Sequence, residues 1–124
     1  MASFTGKNPF IIPRPQRYPG GFNAETLTGT HTLTYQDSQF QALDPGGASR
    51  NLNMPAAGSR LGHFFWIANK ANAAETLYCN QADGSTTIVN IDQNEAALVY
   101  ATADGAASGT SGWTLFAVFT IAIS

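Results

Sequence analysis

The sequence predicts an all-β protein: a single antiparallel β-sandwich or jelly-roll domain over residues 24–124, preceded by an extended, proline-rich arm over residues 1–23. Three observations carry that prediction. Apolar and polar residues alternate with a period of two from Thr26 onward, the signature of strands with one buried face. Short β-prone runs are separated by Pro/Gly/Asp turns roughly every eight to twelve residues, the spacing of a sandwich or barrel. Four of the six prolines (Pro9, Pro13, Pro15, Pro19) fall in the first 23 residues, where they fix an extended backbone and remove the donors a sheet would need.

The arm differs in chemistry from the domain. It holds Lys7, Arg14 and Arg17 and no acid, whereas the rest of the chain has three basic and eight acidic residues, a balance of −5. It also carries Phe4, Phe10, Ile11, Ile12, Tyr18 and Phe22, more apolar bulk than a solvated linker shows. An arm with such anchors is expected to lie on a partner surface. Three positive charges are too few for a nucleic-acid tail, so no nucleic-acid partner is expected.

Within the domain, Thr26 to Tyr35 places threonines on one face and Leu27, Leu33 and Tyr35 on the other, which predicts one strand with a buried face. Phe40 to Leu43 is the next strand. Asp44-Pro45-Gly46-Gly47 is a turn, because proline presets one dihedral and glycine accepts the positive one. Arg50 to Met54 comes next and is stopped by Pro55. Phe64 to Ala68 is continuously apolar and predicts a strand covered on both faces. Thr76 to Cys79 and Ser85 to Ile91 flank Asp83-Gly84, a hairpin dipeptide. Ala96 to Thr102 continues the series, and the small-residue segment from Gly105 to Gly112 is a loop without chemistry. Asn69 to Glu75 offers at most a single helical turn.

Trp113 to Ser124 has no charge, glycine or proline and predicts a long final strand. Strict alternation sets Trp113, Leu115, Phe119, Ile121 and Ile123 on one face and Phe116 and Val118 on the other. One face fills the domain core and the other needs a cover, so Phe116 and Val118 are assigned to an oligomer interface. With only 11% charged residues to guard edges and faces, an assembly is expected, with a homotrimer as first choice.

The chemical inventory predicts no enzyme, no cofactor and no metal site. His31 and His63 are far apart and have no companion at metal-ligand spacing. His31 falls on the apolar register of its strand and is read as a core or interface histidine. Asp37, Asp44, Asp83, Asp92 and Asp104 fall at turns or strand ends, where a carboxylate caps backbone N–H groups. The lone Cys79 sits in Leu77-Tyr78-Cys79 and reads as a small buried hydrophobe. No nucleophile motif or phosphate cradle is present. Trp66, Tyr78, Tyr100 and Trp113 could stack on a sugar, but aromatics on strands are more often core. The apolar runs fall short of a membrane span and show no signal peptide, so a soluble protein made in the cytoplasm, with no membrane partner, is expected.

The segment Leu33 to Pro55 contains a serine-bearing turn, the turn Leu43-Asp44-Pro45-Gly46-Gly47-Ala48 with Arg50, and a strand ending in Met54-Pro55. Gly62, Phe65, Ile67 and Asn69 come after it in a Gly-x-x-Phe-x-Ile-x-Asn strand. This succession, covering roughly Leu33 to Trp113, resembles small virion proteins of tailed bacteriophages, and most of all capsid decoration (cement) proteins. The resemblance implies a trimeric β-rich domain on the outer capsid surface, clamping major capsid protein subunits at capsomer junctions. The arm would then supply the partner-binding residues Phe4, Lys7, Phe10, Ile11, Ile12, Arg14, Arg17 and Tyr18. Related modules occur in tail fibres, spikes and baseplate adaptors, and a carbohydrate-binding sandwich is a further alternative.

Overall fold

A computed structural model describes residues 21–58, 60–103 and 109–121. They form nine strands and no helix: β1 (Phe22–Thr26), β2 (His31–Thr32), β3 (Phe40–Asp44), β4 (Arg50–Asn53), β5 (Phe64–Asn69), β6 (Leu77–Asn80), β7 (Thr87–Ile91), β8 (Glu95–Ala101) and β9 (Trp113–Thr120). A five-stranded sheet runs β1-β3-β5-β8-β9 and a four-stranded sheet runs β2-β4-β6-β7. The all-β class holds, but the sheets are mixed rather than antiparallel. β1, β3 and β5 pair in parallel, as do β2, β4 and β6. Antiparallel pairing is confined to β5/β8, β6/β7 and β8/β9.

The reason lies in the corners. The run expected as one strand from Thr26 to Tyr35 is broken after Thr26, and the chain crosses to the other sheet before β2. Leu27 and Leu33 are buried as their register requires, and Tyr35 packs against the same core. From there to β6 the chain alternates between sheets, so it winds three turns of a flattened coil in which each strand meets its predecessor in parallel. β7 and β8 then run antiparallel to β6 and β5, and β9, antiparallel to β8, finishes the five-stranded sheet.

The turn at Asp44 to Gly47 locks the first corner to the second. Gly46 N donates to Asp44 Oδ1 (2.9 Å), Leu27 N donates to Asp44 O (2.7 Å), and Arg50 Nε donates to Pro45 O (2.8 Å). Both Gly46 and Gly47 have positive φ, 80° and 105°.

The two sheets share one core of Leu27, Leu33, Leu43, Leu52, Met54, Phe65, Ile67, Leu77, Cys79, Ile91, Val99 and Trp113, with small alanines between. Its polar members are satisfied, as burial demands. Asn69 donates to the carbonyls of Glu75 (2.8 Å) and Ile91 (2.9 Å) and accepts from Ala71 N (2.9 Å). This pins residues 70–76 as an irregular loop, without the single helical turn that was the most the sequence offered. Gln81 and Trp113 exchange two bonds, Gln81 Nε2 to Trp113 O (2.9 Å) and Trp113 N to Gln81 Oε1 (3.1 Å), which fasten the start of β9 to the second sheet.

β1 takes in Phe22 and Asn23, the last two residues assigned to the arm. Residues 1–20 and 122–124 lie outside the described residues, and with them the remainder of the arm and Ile123.

Candidate functional site

The feature that stands out is the outer face of the five-stranded sheet. Alternation on β3 and β5 turns Gln41, Leu43, Phe65 and Ile67 inward, leaving Phe40, Phe64 and Trp66 outward. Parallel register sets Phe22 beside Phe40 and Phe40 beside Trp66, and antiparallel register sets Phe64 beside Tyr100 and Trp66 beside Leu98. The result is a row of aromatic and aliphatic side chains running across the strands from β1 to β9. Its rings touch in pairs: Phe40 with Phe64 (6.2 Å between centroids), Trp66 with Phe119 (5.1 Å) and Tyr100 with Phe116 (5.9 Å). Phe22 is 71% and Phe116 65% exposed. Between Gly62, Phe64, Leu98, Tyr100 and Phe116 lies an open apolar hollow of about 310 Å³. On the outer face of β5, Phe64 and Trp66 are half-buried by their neighbours in the sheet and Ala68 is buried.

β9 departs from strict alternation. A bulge where Leu98 pairs with Ala117 but Val99 with Leu115 leaves Phe116 as the extra residue. Phe116 and Phe119 consequently share the outer face, each against a ring of that face. Val118, opposite the buried Ala97, joins Leu115 and Trp113 on the inner face. Phe116 and Val118 do not form one surface, as the sequence predicts, but lie on opposite faces of the same strand. Leu115 (36%) and Val118 (41%) are nonetheless exposed, because β9 is the last strand of its sheet and overhangs the narrower one. Four large apolar side chains thus crowd an edge strand, two on each face.

The other end of the coil is polar. Asn23, Glu25, His31, Gln36, Asp37, Ser38 and Gln41 line a hollow of about 190 Å³, where Asn23 Nδ2 donates to Gln41 Oε1 (2.9 Å) and to Glu25 Oε1 (3.0 Å). His31, read from sequence as a core or interface histidine, lies here, half-buried and outside the apolar core. Its strand aligns it with buried Leu52, but β2 ends its sheet, with no further strand beside it among the described residues.

His63 occupies an aromatic nest: Tyr35 at 4.9 Å, Phe65 at 5.2 Å, and Trp113 beyond Phe65. Its Nε2 is buried and has no hydrogen-bond partner among the described residues. Burial first, and the Arg60 guanidinium second, push its pKa below the ordinary value of 6.5. Arg60 stacks over Tyr35 at 4.6 Å, and Tyr35 Oη donates to Ala57 O (2.8 Å). The sequence singled out neither this nest nor its histidine; only the lone, strand-flanking position of His63 hinted at it.

Asp37, Asp44 and Asp83 cap backbone N–H groups as expected. Asp37 accepts from Thr34 N (2.7 Å), and Asp83 accepts from the N–H groups of Ser85 (2.9 Å) and Thr86 (2.8 Å) and from the Thr86 hydroxyl, which holds its carboxyl at about 2. Asp92 instead accepts from the Thr76 hydroxyl (2.8 Å). Asp104 is outside the described residues. Cys79 is fully buried, and burial pushes its thiol up to about 12. Of the four candidate stacking aromatics, Trp113 is core, while Trp66, Tyr78 and Tyr100 face outward.

Among the described residues no three His, Cys, Asp or Glu side chains converge as metal ligands, and no helix is long and apolar enough to cross a membrane. The partner-binding residues expected in the arm, Phe4 through Tyr18, lie outside the described residues. No family model and no curated protein matches the sequence.

Proposed function

We propose that this protein is a structural subunit of a tailed-phage virion: a non-enzymatic capsid decoration protein that assembles as a homotrimer and binds major capsid protein on the outside of the shell. The observation that supports an assembly role is β9, an edge strand apolar on both faces. A neighbouring copy would cover Leu115 and Val118 on one side and Phe116 and Phe119 on the other. At about 1.5–3 kcal/mol for a fully exposed large apolar side chain that becomes buried, the exposure these four retain, 36%, 41%, 65% and 43%, contributes on the order of 3–6 kcal/mol. Association costs about 4–15 kcal/mol, so a single pairwise contact at best breaks even. A closed ring, in which each copy gives and receives one such contact, is stable where an isolated pair is not.

The virion assignment rests on the sequence resemblance, and the arm residues from Phe4 to Tyr18 belong to it as the proposed shell contacts. In this reading the two-sheet body is a sandwich-type virion module whose first six strands wind as a coil. A second reading, a fibre or spike module, is favoured by that coil: its first turn leaves one edge of both β1 and β2 without a strand partner among the described residues, and such coils extend by stacking.

Light scattering on the purified chain, together with cosedimentation with emptied and with expanded capsids, tests the proposal. A trimer that saturates expanded shells at a fixed ratio supports it. A trimer that ignores shells points to the tail, and a monomer that binds glycans to a sugar-binding module.

A further inference from the structure

The outer aromatic row has a direction. It starts at Phe22 on β1, passes Phe40, Phe64 and Trp66, and reaches Tyr100 and Phe116 at β9. Beyond Phe22 the face turns more polar toward the other end of the strands, where Ala24, Thr26, Ala42, Asp44 and Lys70 line a second hollow with Glu25 and Phe22 itself. The apolar row therefore begins at the residue next to Gly21, whose carbonyl accepts from Phe40 N (3.3 Å) and so holds the chain's entry point against the sheet.

We propose that the row is the docking track for residues 9–19 of the same chain, with Phe10, Ile11 and Ile12 seated in the hollow between Phe64, Leu98, Tyr100 and Phe116. Reach permits it: the five strands span about 19 Å at ~4.8 Å per interval, and eleven residues at about 3.1 Å each in the polyproline conformation cover about 34 Å. Direction permits it too, because the segment joins the sheet at the start of the row and need not cross any other element. The chemistry suits such a track. Pro9, Pro13, Pro15 and Pro19 cannot extend a ladder, but a rigid proline-rich segment laid across aromatic rings docks at a low entropy cost. The hollow also has the size required. An apolar cavity of about 150 Å³ accommodates benzene, so one of about 310 Å³ accepts a Phe or Ile side chain with room for its neighbour. The same chain is the occupant because a short tether sets an effective concentration in the millimolar range.

The track does not depend on the virion reading, but it narrows that reading: with residues 9–19 docked on their own sheet, the shell contacts reduce to residues 1–8, with Phe4 and Lys7, and the seam between copies to the inner face of β9, Leu115 and Val118.

The test uses the full chain. A photoreactive p-benzoylphenylalanine replaces Ile11, and isotopically light and heavy chains are mixed before irradiation. Links from position 11 to Phe64, Leu98, Tyr100 or Phe116 within chains of one isotope are expected. Light-to-heavy links would overturn the same-chain assignment in favour of a neighbour's arm. Links elsewhere, or none, would overturn the track itself. A second readout is tryptic cleavage after Arg17, inside the docked stretch, against cleavage after Lys7, outside it. Arg17 is expected to be cut about tenfold more slowly, a ratio that needs only ~1.4 kcal/mol of docking. Replacing the exposed Phe40→Ser and Phe116→Ser together is expected to erase that protection. Equal rates in the parent chain would refute the docking.

Discussion

Gly46 offers a sharp test of how the first coil is held. A Cβ at this position would lie 2.3 Å from the carbonyl oxygen of Leu27 and 3.1 Å from a Thr26 methyl, whereas a Cβ at the adjacent Gly47 would meet nothing within 4 Å. Both residues have positive φ, so Gly46→Ala and Gly47→Ala share the backbone penalty of about 1–2 kcal/mol for an L-residue in that region. Only Gly46→Ala adds the clash. Because the obstructing atom is backbone and its residue donates to Asp44 O, relief requires moving the corner that carries the chain from β1 to β2. Adding a strained or displaced backbone at about 1–3 kcal/mol brings the expected loss for Gly46→Ala to about 2–5 kcal/mol, against about 1–2 kcal/mol for Gly47→Ala. At roughly 4–8 °C per kcal/mol for a domain near 100 residues, Gly46→Ala melts about 8–40 °C below the parent and Gly47→Ala about 4–16 °C below it. Thermal unfolding monitored by circular dichroism decides it. Equal melting points for the two variants would refute the corner contact.

Because His63 titrates below 6.5 in the folded protein, the unfolded chain binds more protons between the two values; stability is full above pH 6.5 and declines as pH falls below it. Urea midpoints at about pH 7.5 and 5.5, either side of the unfolded value, should show that decline in the parent and a smaller one in His63→Phe; an identical slope in both would exclude His63 as the source. Cys79, buried with its thiol pushed up to about 12, should react with a thiol reagent only as fast as the protein unfolds, and a rapid native-state reaction would contradict its burial. Val118→Asp should lower the mass seen by light scattering if β9 is the seam between copies, and an unchanged oligomer would place the seam elsewhere.

Much of the local structure was legible from single residues. Pro45-Gly46-Gly47 and Asp83-Gly84 mark turns because their dihedral preferences are intrinsic, and Leu27, Leu33 and Cys79 point inward because side chains alternate on any strand. The candidate surface was only half legible. Phe116 and Val118 were singled out by an uncharged run, but their faces were misread, since a one-residue bulge costs little and leaves no mark in a sequence of apolar residues.

By itself, then, the sequence determined the all-β class, the turns, the buried set and the contrast between a basic proline-rich segment and an acidic body. Those are properties of short windows, fixed by dihedral preference and by hydrophobic period. Tertiary structure decided which strands meet and in which direction: the corner after Thr26 sends a continuous threonine alternation into two sheets, and three turns of coil then stack Phe22, Phe40 and Trp66 into one row. Such a row is made of residues distant in the chain, so it exists only once parallel pairing has set their register.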